Sequence, residues 1–278
     1  MVHGSVRNRR VSWGAAVLLA AGGLALNAAV ALPEGPSAEG PAKFESYARY
    51  KQAWDSAKDQ VDTQRVKALV ATLHSENRGA RAEALLALEP IAGDDMGLRN
   101  AARPFQKQWA LSQWDGYARD LERAVAEWAP SLTQVPSMKN RAERAGAAWR
   151  IGQQAPHPAF LPLLREVVAN KEDNFGDNAV RIQAIKAISM IRHDGLMEYL
   201  IDHLDTDLAF WTWEQLRKLA SPRPQTKEEV EQMRPLYNQL NRRLPGEDWQ
   251  AVKKRYEEWW AKNKATFVYD RQRVMVEF

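Results

Sequence analysis

The sequence contains no cysteine in its 278 residues. Disulfide bonds, thiolate metal sites and a cysteine nucleophile are therefore excluded. A chain without disulfides depends on a packed core for its stability. A chain of this length can bury enough apolar surface in one domain to supply that core.

Recognisable catalytic and metal-binding patterns are also missing from the sequence. It has no GxSxG, SxxK or Walker A motif, which would indicate a nucleophile or a phosphate loop. It has no HExxH, HxH or EF-hand spacing, which would indicate a metal site. The sequence therefore predicts a protein that is not an enzyme and that holds no cofactor or metal.

Excess charge of one sign is small once the N-terminus is considered separately. Taking Arg7, Arg9 and Arg10 from the 39 basic residues leaves 36, against 35 acidic residues. The calculated pI of about 9.2 is therefore partly a property of the N-terminus. Bulk charge gives no reason to expect a nucleic-acid partner.

Residues 1–31 have the three-part layout of a secretory signal peptide. The three arginines precede the apolar run Val11–Leu26, and Ala29-Val30-Ala31 is a small-residue cleavage site. We expect an exported protein that works in the periplasm or outside the cell. The alternative is an uncleaved leader in which residues 11–32 anchor the protein in the inner membrane, since about 20 apolar residues can span a bilayer.

The remaining chain has a helical pattern almost to its end. A linker rich in Pro, Gly and Ala is predicted at 32–43, and an all-α domain at 44–266. Residues 267–278 are predicted as a short C-terminal hairpin or a tail. Individual helices are expected at 61–73, 78–91, 226–243 and 247–263, with an irregular pair of helices at 100–128.

The clearest helix pair begins at Asp177, a predicted N-cap, and breaks at His193-Asp194-Gly195. Its apolar residues recur at three- and four-residue steps, and a second amphipathic run covers 196–204. Similar helix starts occur at Asn77, Asn140 and Asp207. In the starts at Asn77, Asn140 and Asp177, an arginine four residues after the cap is placed to pair with an acid of a neighbouring unit. The expected core residues of the 177–204 unit are Val180, Ala184, Ile185, Ile188, Ile191, Leu196, Leu200 and Leu204.

This combination of cap, arginine and apolar period resembles HEAT repeats, which are armadillo-like α-solenoids. The resemblance covers about 140–220 and extends more weakly to 60–93. It implies a curved stack of antiparallel helix pairs whose concave side binds another protein. HEAT motifs are degenerate, so the resemblance indicates the architecture of the chain better than it indicates an activity.

Tryptophan is abundant, with 11 residues in the chain. Most are expected to pack between helices, and the four-residue spacing of Phe105 and Trp109 is typical of a core. Trp211 and Trp213 cannot both face one side of a helix, so one of the two is a candidate for an exposed contact. An exposed indole stacks well on a sugar ring.

The function predicted from the sequence is an exported, non-catalytic scaffold that binds a protein partner in the cell envelope. The alternative is a module that binds carbohydrate or cell wall through tryptophan. Contact with the membrane is expected only through an uncleaved leader. The candidate contact residues are Trp114, Trp211, Trp213, His203, Asp205 and Asp207.

Overall fold

A computed structural model describes residues 42–135, 139–170, 178–220, 227–242 and 247–271. All of them belong to the second of the two units into which the chain divides, Gly40–Phe278. The predicted leader 1–31, nearly all of the predicted linker and the predicted cap Asp177 lie outside the described residues.

The described part of the chain is all α-helical and contains no β-strand. The predicted all-α class is therefore confirmed. The α-helices are α1 Ala42–Ala57, α2 Thr63–Leu73, α3 Arg78–Ala92, α4 Pro104–Arg123, α5 Ala129–Leu132, α6 Arg141–Gln154, α7 Leu161–Ala169, α8 Asn178–Met190, α9 Leu196–Asp202, α10 Ala209–Leu219, α11 Lys227–Asn241 and α12 Trp249–Asn263.

The irregular helix pair predicted at 100–128 is wrong, because α4 continues into α5 without a break. A single π-helical turn at Ala124–Trp128 joins them, and the Ala129 N–H donates to the Ala124 carbonyl five residues earlier. Buried side chains recur at three- and four-residue steps from Ala110 to Leu132.

Helix α8 lies at the centre of the core. It packs against α6, α7 and α10. All eight core residues predicted for this unit are buried, as the apolar period requires. The approach to α6 is so close that a Cβ built on Gly152 would stand 2.5 Å from the Ala187 Cα.

The predicted helix starts have different outcomes. Asn77 caps α3 by accepting from the Gly79 and Ala80 N–H groups. Asn140 makes no side-chain cap on α6, and its amide nitrogen donates to the Val135 carbonyl. Asp207 does not cap α10 either. Its carboxylate forms an ion pair with Arg181 through two hydrogen bonds of 2.5 and 2.9 Å. The arginine of the 177 start therefore does pair with an acid, and the pair joins α8 to the residues just before α10.

Helix α1 packs on the middle of the chain. Its main neighbour is α7, and it also touches α5. Tyr50 and Trp54 are buried, and the Trp54 ring stacks on Phe160 with a centroid distance of 5.5 Å. Aromatic side chains of α1 thus fill the space between α1 and the α6–α7 connection.

The C-terminal helix α12 lies against α9 and the short 3-10 turn His203–Asp205. Beyond it, residues 267–270 have no regular structure, and the Tyr269 hydroxyl donates to the Ser189 carbonyl at 3.3 Å. The second arm of the predicted hairpin lies outside the described residues. Within the described ranges, no helix has both the length and the apolarity of a membrane span.

Candidate functional site

The first half of α4 and the residues before it are exposed. Every residue from Ala102 to Trp109 is exposed, and burial begins only at Ala110. Phe105 is 63% exposed and Trp109 is 59% exposed. Their four-residue spacing does place them on one face, but nothing in the described structure covers that face, so their predicted core position is wrong.

The loop between α3 and α4 lies beneath Trp109. A Cβ built on Gly97 would be 3.7 Å from the Trp109 Cζ3. Gly93 and Gly97 have φ near +74°, and Met96 has φ of +50°. The carboxylates of Asp94 and Asp95 hold this loop by accepting from the Met96 and Gly97 N–H groups, both at 2.8 Å.

The left-handed conformation of Met96 costs about 1–2 kcal/mol for a residue with a Cβ. The two aspartates and the packing of the Met96 side chain on the core keep the loop in this shape. We call Gly93–Gly97 together with Phe105 and Trp109 the aromatic corner. It presents two apolar rings beside two carboxylates.

A cleft of about 300 Å³ is lined in part by the same loop. A Cβ built on Gly93 would meet the Arg192 Cβ at 3.1 Å and the Tyr269 Cε1 at 3.7 Å, so three segments converge here. The lining residues are Glu89, Gly93, Asp94, Asp95, Arg192, Tyr269, Asp270 and Arg271.

Arg271 is the buried cation of the cleft, with 5% of its surface exposed. Its Nη2 donates to the Gln153 carbonyl at 2.7 Å, and its Nη1 reaches the Ala92 carbonyl at 3.5 Å. Its Nε is buried and has no hydrogen-bond acceptor among the residues that the structure describes. Burial lowers the pKa of Arg271.

The acids of the cleft differ in their surroundings. Burial raises the pKa of the Asp94 carboxyl, and the nearby Arg271 guanidinium partly opposes that effect. Glu89 is already bound by the Arg99 guanidinium through both carboxylate oxygens. The carboxylates that remain available to a ligand therefore include those of the loop, Asp94 and Asp95.

The tryptophans predicted as contacts lie mostly in the core. Trp114 is completely buried and Trp213 is 9% exposed, so the prediction that they could meet a ligand is wrong. Trp114 faces the interior because it continues the buried stripe of α4. Trp211 keeps a partly exposed ring, and the Lys186 ammonium lies 5.1 Å from its centroid. Trp211 is the member of the Trp211–Trp213 pair that is more exposed.

The polar residues predicted as contacts all have partners within the protein. The His203 Nδ1 lies 2.8 Å from the Tyr199 carbonyl, and the two rings are 4.2 Å apart. Asp205 pairs with Lys253 at 3.0 Å, and Asp207 pairs with Arg181. The ion pairs of Asp205 and Asp207 join segments that are far apart in the chain, whereas the contact of His203 is local to α9 and the turn that follows it. No group of three or more His, Asp or Glu residues able to hold a metal occurs in the described ranges.

The corner and the cleft contain residues that sequence reasoning missed. The Gly93-Asp94-Asp95-Met96-Gly97 segment was recognisable only as a helix end. Phe105 and Trp109 gave the signal of a core pair. Arg271 gave no signal, because its buried position depends on carbonyls far away in sequence, at Ala92 and Gln153.

Comparison with known proteins adds no relative from which a role could be transferred. No protein-family model, curated protein or solved structure matches the chain.

Proposed function

We propose that this protein is a non-catalytic interaction protein whose partner protein docks on the aromatic corner. The observation that carries the proposal is the exposure of Phe105 and Trp109 on one face of α4. Large aromatic side chains are enriched at the centres of protein interfaces, where they account for much of the binding energy. Exposed contiguous apolar surface of this kind marks interaction sites in soluble proteins.

The surroundings of the two rings fit a protein partner. Arg103, just before α4, and Lys107, on α4, are exposed, and Asp94 and Asp95 lie in the loop between α3 and α4. An apolar centre with charges of both signs around it is the usual anatomy of a protein interface. We place the partner in the cell envelope, because the leader predicted at 1–31 would export the chain.

The scaffold we propose is a HEAT-like stack of antiparallel helix pairs. It is supported by the order of contacts, in which α4 packs on α6, α6 on α8 and α8 on α10. The Arg181–Asp207 pair links α8 to the start of the next unit, as a repeat contact would. Helix α1 departs from the simple pattern because it packs chiefly on α7, far along the chain.

A double variant, Phe105→Ser with Trp109→Ser, tests the docking proposal. A pull-down from envelope extract with the full chain as bait should enrich a partner protein. The double variant should capture at least about tenfold less of that partner, because two anchor residues of the interface are lost. Phe210→Ser is the matched control, since Phe210 is 44% exposed on α10. Equal capture by the wild type, the double variant and the control would exclude the corner as the docking site.

A second candidate function is carbohydrate binding at Trp109. The observation in its favour is the position of an exposed indole over a loop that carries two carboxylates, because sugars use stacking and hydrogen bonds together. Soluble cell-wall oligosaccharides should then bind the wild type and the Trp211→Ala variant, but not Trp109→Ala. Binding that survives Trp109→Ala would remove this candidate.

A further inference from the structure

The cleft beside the aromatic corner combines features that ordinary packing does not explain. Its walls come from the Gly93–Asp95 loop, Arg192 just after α8 and the segment 269–271. Its volume of about 300 Å³ lies at the lower limit for small-molecule sites in proteins. The cleft therefore has room for a small ligand.

The Nε of Arg271 is the first of these features. A buried N–H without an acceptor is destabilising, and more strongly so when the group is charged. The two terminal nitrogens of Arg271 are held by backbone carbonyls, which neutralise no charge. Among the described residues no carboxylate forms an ion pair with this guanidinium, on which Asp94 acts only through its charge. A ligand oxygen, best of all a carboxylate oxygen, would satisfy both its N–H and its charge.

The carboxylates of the loop are the second feature. Asp94 and Asp95 each use an oxygen to accept a backbone N–H and retain further lone pairs. Asp270 also lines the cleft. This concentration of acid disfavours phosphate and other multiply charged anions, but it favours an ammonium group.

We propose that the cleft binds a small zwitterion in which an ammonium group stands next to a carboxyl or carbonyl oxygen, as in an α-amino acid. The oxygen accepts from the Arg271 Nε–H, with Arg192 at the rim of the cleft. The ammonium donates to Asp94 and Asp95. A simple cation would leave the Arg271 Nε unsatisfied, and a simple anion would face the two aspartates.

This proposal goes beyond the docking function and does not depend on it. The same chemistry has two sources, a free amino acid and the first residue of a peptide. A free amino acid offers a carboxylate to Arg271, whereas a peptide N-terminus offers a neutral carbonyl. The strength of the contact with Arg271 distinguishes the two sources, because a hydrogen bond between charged groups is roughly twice as strong as a neutral one.

Isothermal titration calorimetry of the full chain with three probes tests the proposal. L-alanine carries both groups, L-alaninamide keeps the ammonium and a carbonyl, and N-acetyl-L-alanine lacks the ammonium. We expect L-alanine to bind and N-acetyl-L-alanine not to bind. Binding of L-alaninamide as tight as that of L-alanine assigns the site to peptide N-termini, and weaker binding assigns it to free amino acids. The proposal is overturned if L-alanine does not bind or if N-acetyl-L-alanine binds equally well.

Matched variants connect binding to the cleft. Asp95→Asn keeps the acceptor for the Gly97 N–H, so the loop should hold, and it should weaken L-alanine binding by about tenfold or more through the loss of a charged partner. Arg192→Gln at the exposed rim should weaken binding by a smaller factor. Asp59→Asn, at an exposed acid after α1, should leave it unchanged. Unchanged affinity in Asp95→Asn would show that the ligand lies elsewhere.

Discussion

The packed middle of the chain, α6 to α10, and the aromatic corner use the same sequence period with opposite results. In α8, apolar residues at three- and four-residue steps are all buried. In the first half of α4, Phe105 and Trp109 have the same spacing and remain exposed. The period shows which residues share a face of a helix, but it does not show whether another element covers that face.

The difference between the two regions lies in their neighbours. Helix α8 is surrounded by α6, α7 and α10, so its apolar residues are covered from several directions. Helix α4 packs on α2 and α6, but its buried residues begin only at Ala110. Almost two turns at the start of α4 therefore project beyond the part of the helix that is buried.

Truncation of two tryptophans on the same helix gives the largest expected contrast. Trp114→Ala should lower the free energy of unfolding by about 3–5 kcal/mol, because it removes a fully buried ring and leaves a cavity. Trp109→Ala should change it by no more than about 0.5 kcal/mol, as at most surface sites. Urea titrations followed by circular dichroism measure both values. A large loss in Trp109→Ala would mean that the corner is covered in solution.

A buried histidine in the packed middle should make stability depend on pH. His157 accepts the Ala159 N–H at its Nδ1, and burial lowers its pKa to about 4. An unfolded histidine has a pKa near 6.5, so the unfolded chain binds the proton more readily. The contribution of neutral His157 to the free energy of unfolding is complete above pH 6.5 and is lost as the pH falls towards 4. Its maximum is about 3 kcal/mol.

Urea titrations between pH 7.5 and pH 4 measure this dependence, and two variants separate its causes. His157→Asn keeps a capping acceptor and cannot take up the proton, so its stability should fall less over this range. His157→Ala also loses the cap, and it should be about 1 kcal/mol less stable than His157→Asn at pH 7. Equal slopes for the wild type and His157→Asn would contradict the assignment of this pH dependence to His157.

The sequence was sufficient for the all-α class, for the approximate boundaries of several helices and for the core of the 177–204 unit. These features depend on local period and on breaks in the chain, both of which are visible in the residues themselves. The exposure of Trp109 and the burial of Trp114 were not predictable, because both depend on which distant helix lies alongside. The cleft was even harder to predict from the sequence, since Arg271 is held by carbonyls that lie 118 and 179 residues away in the chain.

The smallest contrast concerns two glycines on α6, and it tests how tightly the packed middle is closed. A Cβ at Gly152 would meet the Cα of Ala187 at 2.5 Å and its Cβ at 2.8 Å. Both atoms belong to α8, and a helix backbone cannot move aside as a flexible side chain can. Gly152→Ala should therefore force α6 and α8 apart and cost about 1–3 kcal/mol, as overpacking does in other cores.

Gly146 is the matched control on the same helix, since a Cβ there would meet nothing within 4 Å. Gly146→Ala should raise stability by about 0.5–1 kcal/mol, because alanine loses less conformational entropy than glycine on entering a helix. The two variants should thus move the melting temperature in opposite directions in the same calorimetric experiment. If Gly152→Ala is also stabilising, α6 and α8 do not approach as closely as described. The packed middle would then resemble the aromatic corner, with faces that neighbouring helices only partly cover.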